Sequence, residues 1–169
     1  SNFLNEKKLS SPILITGAGG CIGSWVISLL AKTRVKIIAM DLSSETKRLN
    51  YIIKNKEIKR IKWIVGDVSN KKRIEQIVKK YKIKSIIHLA ALQIPFCAKD
   101  PLLGAKVNVL GTVNIFEVAK KFNIKKIVYT SSVAAHGLLS NLYKPTLYGS
   151  YKLCNENVAK VYFHDFNIS

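Results

Sequence analysis

The chain has 169 residues, 48% of them hydrophobic and 22% charged, which suits one domain with a single core. Its net charge of +18 rests mainly on lysines without arginine–aromatic clusters, so we expect a solvated surface that favours anionic ligands rather than a nucleic-acid partner. No apolar run approaches the roughly 20 residues that span a bilayer. The three cysteines, Cys21, Cys97 and Cys154, are widely spaced, which indicates free thiols in a reducing cytoplasm and no metal site.

Apolar runs alternate with segments of helical periodicity along the whole chain. The pattern predicts strands at residues 13–16, 35–40, 61–65, 84–89 and 125–130. It predicts helices at residues 21–32, 43–56, 70–81, 101–122 and 148–165. Wholly apolar strands separated by helices are typical of a parallel sheet covered on both faces. The sequence therefore predicts a doubly wound α/β domain over residues 12–169, preceded by a flexible segment at residues 1–11.

A glycine-rich turn, TGAGGCIG, joins the first predicted strand to the first predicted helix. Gly17, Gly20 and Gly23 follow a GxxGxxG spacing, one residue wider at the start than the common dinucleotide fingerprint. One glycine permits the tight turn, the next lets the backbone approach a pyrophosphate, and the third brings helix against strand. The helix N-terminus then offers free N–H groups to phosphates. Glycine turns also occur for packing reasons alone, so this motif is weak by itself.

Two aspartates end predicted strands on the same side as the glycine turn. Asp41 stands 18 residues after Gly23, where a carboxylate binds both ribose hydroxyls of NAD and repels the 2′-phosphate of NADP. Its alternative role is a helix N-cap or turn residue. Asp67, in VGDVSN, could reach the adenine amino group, with a turn-forming aspartate as the alternative.

Two later stretches carry reactive side chains. In YTSSVAAHG, Ser131 and Ser132 emerge from the fifth strand at the carboxyl edge of the sheet, where ligands bind in such folds. In YGSYK, Tyr148 and Lys152 are four residues apart and share one side of a helix. A nearby ammonium favours the phenolate, so this tyrosine could take a proton from a sugar hydroxyl as hydride leaves the carbon. An isolated Tyr-x-x-x-Lys pair also arises by chance.

Seven features together resemble the extended short-chain dehydrogenase/reductase family, the NAD-dependent epimerase/dehydratase group. They are TGAGGCIG, Asp41, GDV, HLAA, NVLGT, YTSS and YGSYK, in the family's order and approximate spacing from Ile13 to about Ile168. The resemblance implies a Rossmann-type fold, NAD as cofactor and a nucleotide-sugar substrate. It favours an epimerase, with a sugar or uronate dehydrogenase, or a nucleotide-sugar dehydratase or decarboxylase, as alternatives. It also implies a homodimer through helices 101–122 and 148–165.

The resemblance implies a role for each matching residue. Ser132 would hydrogen-bond the reacting hydroxyl or carbonyl, Tyr148 would be the acid/base, and Lys152 would bind the nicotinamide ribose and tune Tyr148. Asn108 would lie near the nicotinamide end, and His88 is expected to be a hydrogen-bonded structural residue. The implied cofactor contacts are Gly17, Gly20, Cys21, Ile22, Gly23, Asp41, Asp67, Val68, Leu89, Ala90, Ala91, Gln93 and Asn108.

The chain also departs from the family pattern. Members continue far beyond the catalytic helix with a further strand and a substrate-binding region, whereas this sequence stops at FNIS. We therefore expect a fragment, a truncated gene product or a partially observed chain that lacks the substrate region. A non-catalytic NAD-binding sensor or interaction module stays open as another class, although the intact Ser132, Tyr148 and Lys152 argue against it.

Overall fold

The computed structural model of the chain describes residues 10–53, 55–137 and 144–169. Most of the predicted flexible segment at residues 1–11 lies outside the described residues. The two members inside them are held by hydrogen bonds: the Ser10 N–H donates to Ser85 Oγ (3.2 Å), and Ser11 Oγ accepts from the Lys36 N–H (2.9 Å). These two bonds join Ser10 and Ser11 to the start of the sheet, and the flexibility of residues 1–11 stays a prediction.

Five parallel strands form one sheet. They are β1 (Ile13–Thr16), β2 (Ile37–Asp41), β3 (Lys62–Val65), β4 (Ser85–His88) and β5 (Lys126–Tyr129), in the spatial order β3-β2-β1-β4-β5. Ile13 pairs with Ile37 on one side and Ser85 on the other. The connections therefore reverse direction between β1 and β4, which is the point where ligands bind in open α/β sheets. This order, with helices on both faces, confirms the doubly wound fold.

The helices that connect the strands differ in part from the prediction. They are α1 (Cys21–Leu30), α2 (Lys47–Asn50), α3 (Asn55–Ile58), α4 (Lys71–Tyr81), α5 (Ile94–Lys99), α6 (Pro101–Ala105), α7 (Gly111–Lys121), α8 (Val133–His136) and α9 (Leu147–Phe166), with a π-helical turn at Lys106–Leu110. The predicted helix 43–56 is instead two short helices, and α5 and α8 were not predicted. Helices of four to six residues contain too few turns to show a hydrophobic period.

Alternate residues of the strands fill two separate cores. In β1, Ile13 and Ile15 pack with α1 and α2 on one face of the sheet. Leu14 between them packs with α4, α7 and α9 on the other face. Because successive strand residues point to opposite faces, a strand that is apolar throughout supplies both cores at once.

One helical stretch, Pro101–Lys121, runs continuously through α6, the π-helical turn and α7. It has 21 residues and a mean hydropathy of 1.3, so it is long and apolar enough to cross a membrane by length and composition alone. This corrects the expectation that no apolar segment reaches that length. Half of its apolar window is buried within the domain, where Ile115, Phe116 and Val118 belong to the core, and core helices pass the same test.

Candidate functional site

A cleft of about 830 Å³ opens at the carboxyl edge of the sheet, above the point where the strand order reverses. Segments that follow all five strands line it, together with the first turns of α1 and α9. The predicted site residues that line the cleft are Gly17, Gly20, Cys21, Ile22, Gly23, Asp41, Asp67, Val68, Leu89, Ala90, Ala91, Gln93, Tyr148 and Lys152. Tertiary structure thus brings together residues that are more than a hundred positions apart in the sequence.

The glycine turn is required by close backbone approaches. Gly17 has a positive φ of 67°, and a Cβ there would lie 2.6 Å from Ala90 N. A Cβ at Gly23 would overlap the carbonyl oxygen of Gly17. At Gly20 the nearest atom to an added Cβ is Gly17 O at 3.2 Å, which is a milder contact. Gly17 and Gly23 therefore fix the turn, while Gly20 caps the N-terminus of α1 beside the cleft.

The two aspartates line the cleft and also stabilise turns. Asp41 Oδ2 accepts from the Gly19 N–H (2.8 Å), and its Oδ1 accepts from the Leu42 N–H (2.7 Å). Asp67 Oδ1 accepts from the Ser69 N–H (2.8 Å). The turn-forming role considered for each aspartate is thus present, and both residues also line the cleft.

Tyr148 and Lys152 enter the cleft from the start of α9. Thr146 caps this helix by accepting from the Gly149 N–H (3.0 Å), and Gly149 packs directly on the Ala134 carbonyl. Lys152 Nζ donates to the Thr130 carbonyl oxygen (2.6 Å) and lies 5.7 Å from the centroid of the Tyr148 ring. Lys152 is only 5% exposed, and this burial lowers its pKa from the ordinary value. The pair is therefore a cation held beside a phenol in a partly dry environment.

The two predicted serines occupy different positions. Ser131 lines the cleft, and its hydroxyl donates to the carboxylate of Glu156 on α9. Ser132 caps α8 by accepting from the Ala134 N–H (3.2 Å), and it does not belong to the lining of the cleft in the described part of the chain. Glu156 was not predicted as a site residue, although its spacing of four residues from Lys152 was a usable signal.

Asn108 lies behind the lining of the cleft. It is 1% exposed, and its Oδ1 accepts from the Leu92 N–H (2.7 Å) while its Nδ2 donates to the Leu92 carbonyl (2.9 Å). Leu92 itself lines the cleft. The two hydrogen bonds engage the Asn108 carboxamide with Leu92, so Asn108 supports the wall of the cleft from behind, and its place near the nicotinamide stays a prediction.

His88 lies at the centre of a buried chain of hydrogen bonds. Thr112 Oγ1 donates to the Asn108 carbonyl (2.7 Å), so it accepts from His88 Nε2–H (3.1 Å), and His88 Nδ1 then accepts from Thr16 Oγ1 (2.7 Å). Burial, with a smaller effect of the Lys152 charge, lowers the pKa of His88 from 6.5 to about 3. The imidazole is therefore neutral, and the expectation of a hydrogen-bonded structural histidine is confirmed.

Asn155 is a further buried polar residue that sequence analysis did not single out. Its Nδ2 donates to the Asn108 carbonyl (2.8 Å), which ties α9 to the π-helical turn. Its Oδ1 is buried and has no hydrogen-bond partner among the described residues. The position, three residues after Lys152, places it on the inward side of the same helix. Only the spacing within α9 could have indicated this contact.

Comparison with known proteins places this geometry in a family. The family model described as "Polysaccharide biosynthesis protein" matches residues 13–164. A UDP-glucose 4-epimerase of Pisum sativum is 28% identical over 134 residues, which cover 76% of this chain and 38% of that protein. The chain therefore spans well under half of this relative.

Two solved structures are similar over nearly the whole chain. The L-threonine dehydrogenase of Clostridium difficile has a TM-score of 0.79 and 30% identity, covering 94% of this chain and 50% of that one. A UDP-glucose 4-epimerase of Brucella ovis, in complex with NAD, has a TM-score of 0.78 and 23% identity, with the same coverage, and this likeness shows the fold alone. Because the family model covers most of the chain, this protein belongs to that polysaccharide biosynthesis family, within the extended short-chain dehydrogenase/reductases.

Proposed function

We propose that this chain is the NAD-binding part of an enzyme that oxidises a nucleotide sugar transiently, as a 4-epimerase does. The observation that carries the proposal is the placement of Tyr148 and Lys152 in the same cleft as the glycine turn. A phenol with a buried ammonium beside it is an acid–base pair, and a glycine turn at a helix N-terminus is a phosphate site. Because both line one cleft of about 830 Å³, a dinucleotide could contact both.

The residues of the cleft fit NAD. Free N–H groups at the start of α1 would bind the pyrophosphate, and the backbone at Gly20 leaves room for its approach. Asp41 would bind the hydroxyls of the adenosine ribose, and Asp67 with Val68 would hold the adenine. When bound, NAD supplies the nicotinamide carbon that accepts a hydride. Lys152 would hold the second ribose beside Tyr148.

Residues of this chain would then remove the proton of the sugar hydroxyl. Tyr148 takes the proton of the sugar hydroxyl at its phenolate oxygen, and the Lys152 ammonium stabilises that negative charge. Ser132, or Ser131 as the serine that lines the cleft, orients the reacting hydroxyl. Burial lowers the pKa of Lys152, and a negative charge on Tyr148 would raise it again, so the ammonium and the phenolate would stabilise each other.

A dehydrogenase with the same cofactor is the second candidate function. It is supported by the 30% identity to an L-threonine dehydrogenase across nearly the whole chain. The two functions differ in their products: an epimerase returns the hydride and accumulates no NADH, whereas a dehydrogenase releases NADH at each turnover. Absorbance of NADH with nucleotide sugars and with L-threonine as substrates separates the two.

The test of the proposed chemistry is Tyr148→Phe in the full-length protein. Loss of one positioned acid/base lowers turnover by about 10²–10⁴-fold, while NAD affinity stays nearly unchanged because the ring can still pack in the cleft. Lys152→Ala should lower both turnover and NAD affinity. Ser132→Ala should lower turnover less than Tyr148→Phe does. The matched control is Tyr151→Phe, since the Tyr151 hydroxyl donates to the Pro101 carbonyl (2.9 Å) instead.

Each outcome of this test decides between the interpretations. Wild-type turnover in Tyr148→Phe would contradict the mechanism. NAD binding without turnover in any variant, the wild type included, would favour the non-catalytic sensor. A parallel loss in Tyr151→Phe would show that the effect is structural rather than chemical.

We also propose a cytoplasmic homodimer. All three cysteines, which lie in the described part of the chain, are free. Apolar side chains are exposed on the helices expected to form the interface, with Leu102 85%, Leu110 48% and Val161 53% exposed. Burial of such side chains against a second copy is the usual source of dimer stability. Light scattering at tens of micromolar should give twice the chain mass, and a monomer there would contradict the proposal.

A further inference from the structure

The edge of the sheet opposite the cleft carries a concentration of positive charge. Because all five strands are parallel, the segments that lead into them meet at this one edge. The cations that lead into β2 and β3 are Lys32, Arg34, Lys36, Lys59, Arg60 and Lys62. The cations that lead into β4 and β5 are Lys82, Lys84, Lys125 and Lys126. All ten are exposed, and we call this surface the basic edge.

The positive charge of the basic edge is higher than an even distribution of lysines over the surface would give. The four segments that form it, residues 31–36, 59–62, 82–84 and 122–126, hold these ten cations and no acidic residue. The segments that directly follow the strands, residues 17–20, 41–46, 66–70, 89–93 and 130–132, hold no lysine or arginine and three carboxylates, and the cations that line the cleft, Lys47, Arg48 and Lys152, lie on helices. A uniformly lysine-rich surface would not separate the charges in this way, so the polarity belongs to the fold.

Neighbouring contacts hold parts of the basic edge in place. The Arg60 guanidinium donates to the Thr33 carbonyl (3.5 Å), which joins the segments before β2 and β3. Lys125 Nζ donates to the Phe166 carbonyl (2.9 Å) at the end of α9. The helices α4 and α7 end beside these segments with Lys79, Lys80, Lys120 and Lys121. The positively charged side chains therefore lie at the ends of strands and helices or in the short segments between them, rather than on long loops.

We infer that the basic edge docks on a membrane surface that contains anionic lipids. Five strands spaced about 4.8 Å apart give a row of charges roughly 20 Å wide, which matches a flat surface. Eight of the ten cations are lysines, which act as point charges, whereas base readout uses planar arginine forks or a helix placed in a groove. Clusters of four to eight basic residues beside a transmembrane helix or on an amphipathic helix bind anionic lipids, and the same electrostatic attraction acts on this row of charges.

This mode of docking leaves the cleft accessible. The cleft lies at the carboxyl edge and the basic edge at the amino edge of the same strands, so a membrane against one does not cover the other. The inference concerns a second surface and does not depend on the chemistry proposed for the cleft. It predicts that the bound protein takes up NAD or ADP-ribose as the free protein does.

Sedimentation with lipid vesicles tests the inference. The wild-type chain should bind vesicles that contain phosphatidylserine and should dissociate from them at high salt. It should not bind vesicles of phosphatidylcholine alone. The quadruple variant Lys59→Gln, Lys62→Gln, Lys82→Gln, Lys84→Gln should bind roughly 600-fold more weakly, because each lysine contributes roughly fivefold. The matched control changes four exposed lysines outside the basic edge, namely Lys72→Gln, Lys99→Gln, Lys106→Gln and Lys144→Gln.

The outcomes are decisive in both directions. Equal losses in the two quadruple variants would overturn the inference, since net charge rather than the basic edge would then be responsible. Tighter binding to duplex DNA than to anionic vesicles at the same salt would overturn it in favour of nucleic acid. Circular dichroism checks that each variant is folded, and the pair Lys82→Gln, Lys84→Gln repeats the comparison with a smaller change, expected to be about 20-fold.

Discussion

The two edges of the sheet are ends of the same five strands, yet they create positive potential in different ways. At the carboxyl edge the segments directly after the strands contain no lysine or arginine, so the attraction for phosphate comes from the backbone N–H groups at the start of α1 and from three cations on helices, Lys47, Arg48 and Lys152. At the amino edge ten exposed side chains supply the charge. A cleft built from backbone requires closely fixed geometry, whereas a surface built from lysines tolerates change. The carboxyl edge should therefore be sensitive to single substitutions, and the amino edge only to several at once.

The largest effect is expected for Gly23→Ala. The added Cβ would overlap the Gly17 carbonyl, and because that oxygen belongs to the backbone it cannot rotate away. We expect a loss of about 2–3 kcal/mol in the free energy of unfolding, measured by urea titration. Gly20→Ala is the matched control, since its Cβ would meet Gly17 O at 3.2 Å and should cost less. Equal unfolding midpoints for the two variants would contradict this account of the turn.

An intermediate effect is expected from the neutral His88. The pKa of His88 in the folded chain is about 3, below the value of 6.5 for the free side chain. Between these two pH values the imidazole is protonated in the unfolded chain and neutral in the folded chain. The stability gained from the neutral imidazole is present above pH 6.5 and decreases as the pH falls from 6.5 towards 3, by up to about 1.4 kcal/mol per pH unit.

Urea unfolding at several pH values between 7 and 5 measures how steeply the free energy of unfolding falls with pH, and most carboxylates titrate only below this range. We call this dependence the pH slope. His88→Gln should flatten it even if the variant is less stable overall. His164→Gln, which changes an exposed histidine at the amino edge, should keep the wild-type slope. A slope that is the same in all three proteins would be evidence against a buried neutral His88.

The smallest effect concerns the choice of cofactor. Asp41 presents a carboxylate where NADP would place its 2′-phosphate, so NAD should raise the melting temperature more than NADP does. Asp41→Ala should narrow the difference between the two thermal shifts, while Glu45→Ala, another carboxylate of the cleft lining, should keep it. Stabilisation by NADP that equals or exceeds that by NAD in the wild type would refute the assignment.

Sequence patterns predicted the sheet and most of the cleft because both depend on local features. All five strands were predicted within three residues of their observed ends, since buried parallel strands are apolar throughout. Gly17 and Asp41 line the cleft as expected because the strand ends that carry them meet at one edge, and Lys152 reaches it from α9. The contact of Asn108 with Leu92 could not be predicted, because the direction of a buried side chain depends on its partners, here the backbone of Leu92.

The sequence by itself determined the fold class, the glycine turn and the Tyr148–Lys152 pair, since each follows from spacing within one element or one turn. Tertiary structure alone decided which serine lines the cleft, which residues connect α9 to the π-helical turn, and where the lysines collect. Scattered through the sequence, the lysines and arginines suggested only a solvated surface. Parallel pairing of the strands brings ten of them to one edge, because such pairing places every strand beginning on the same side of the sheet.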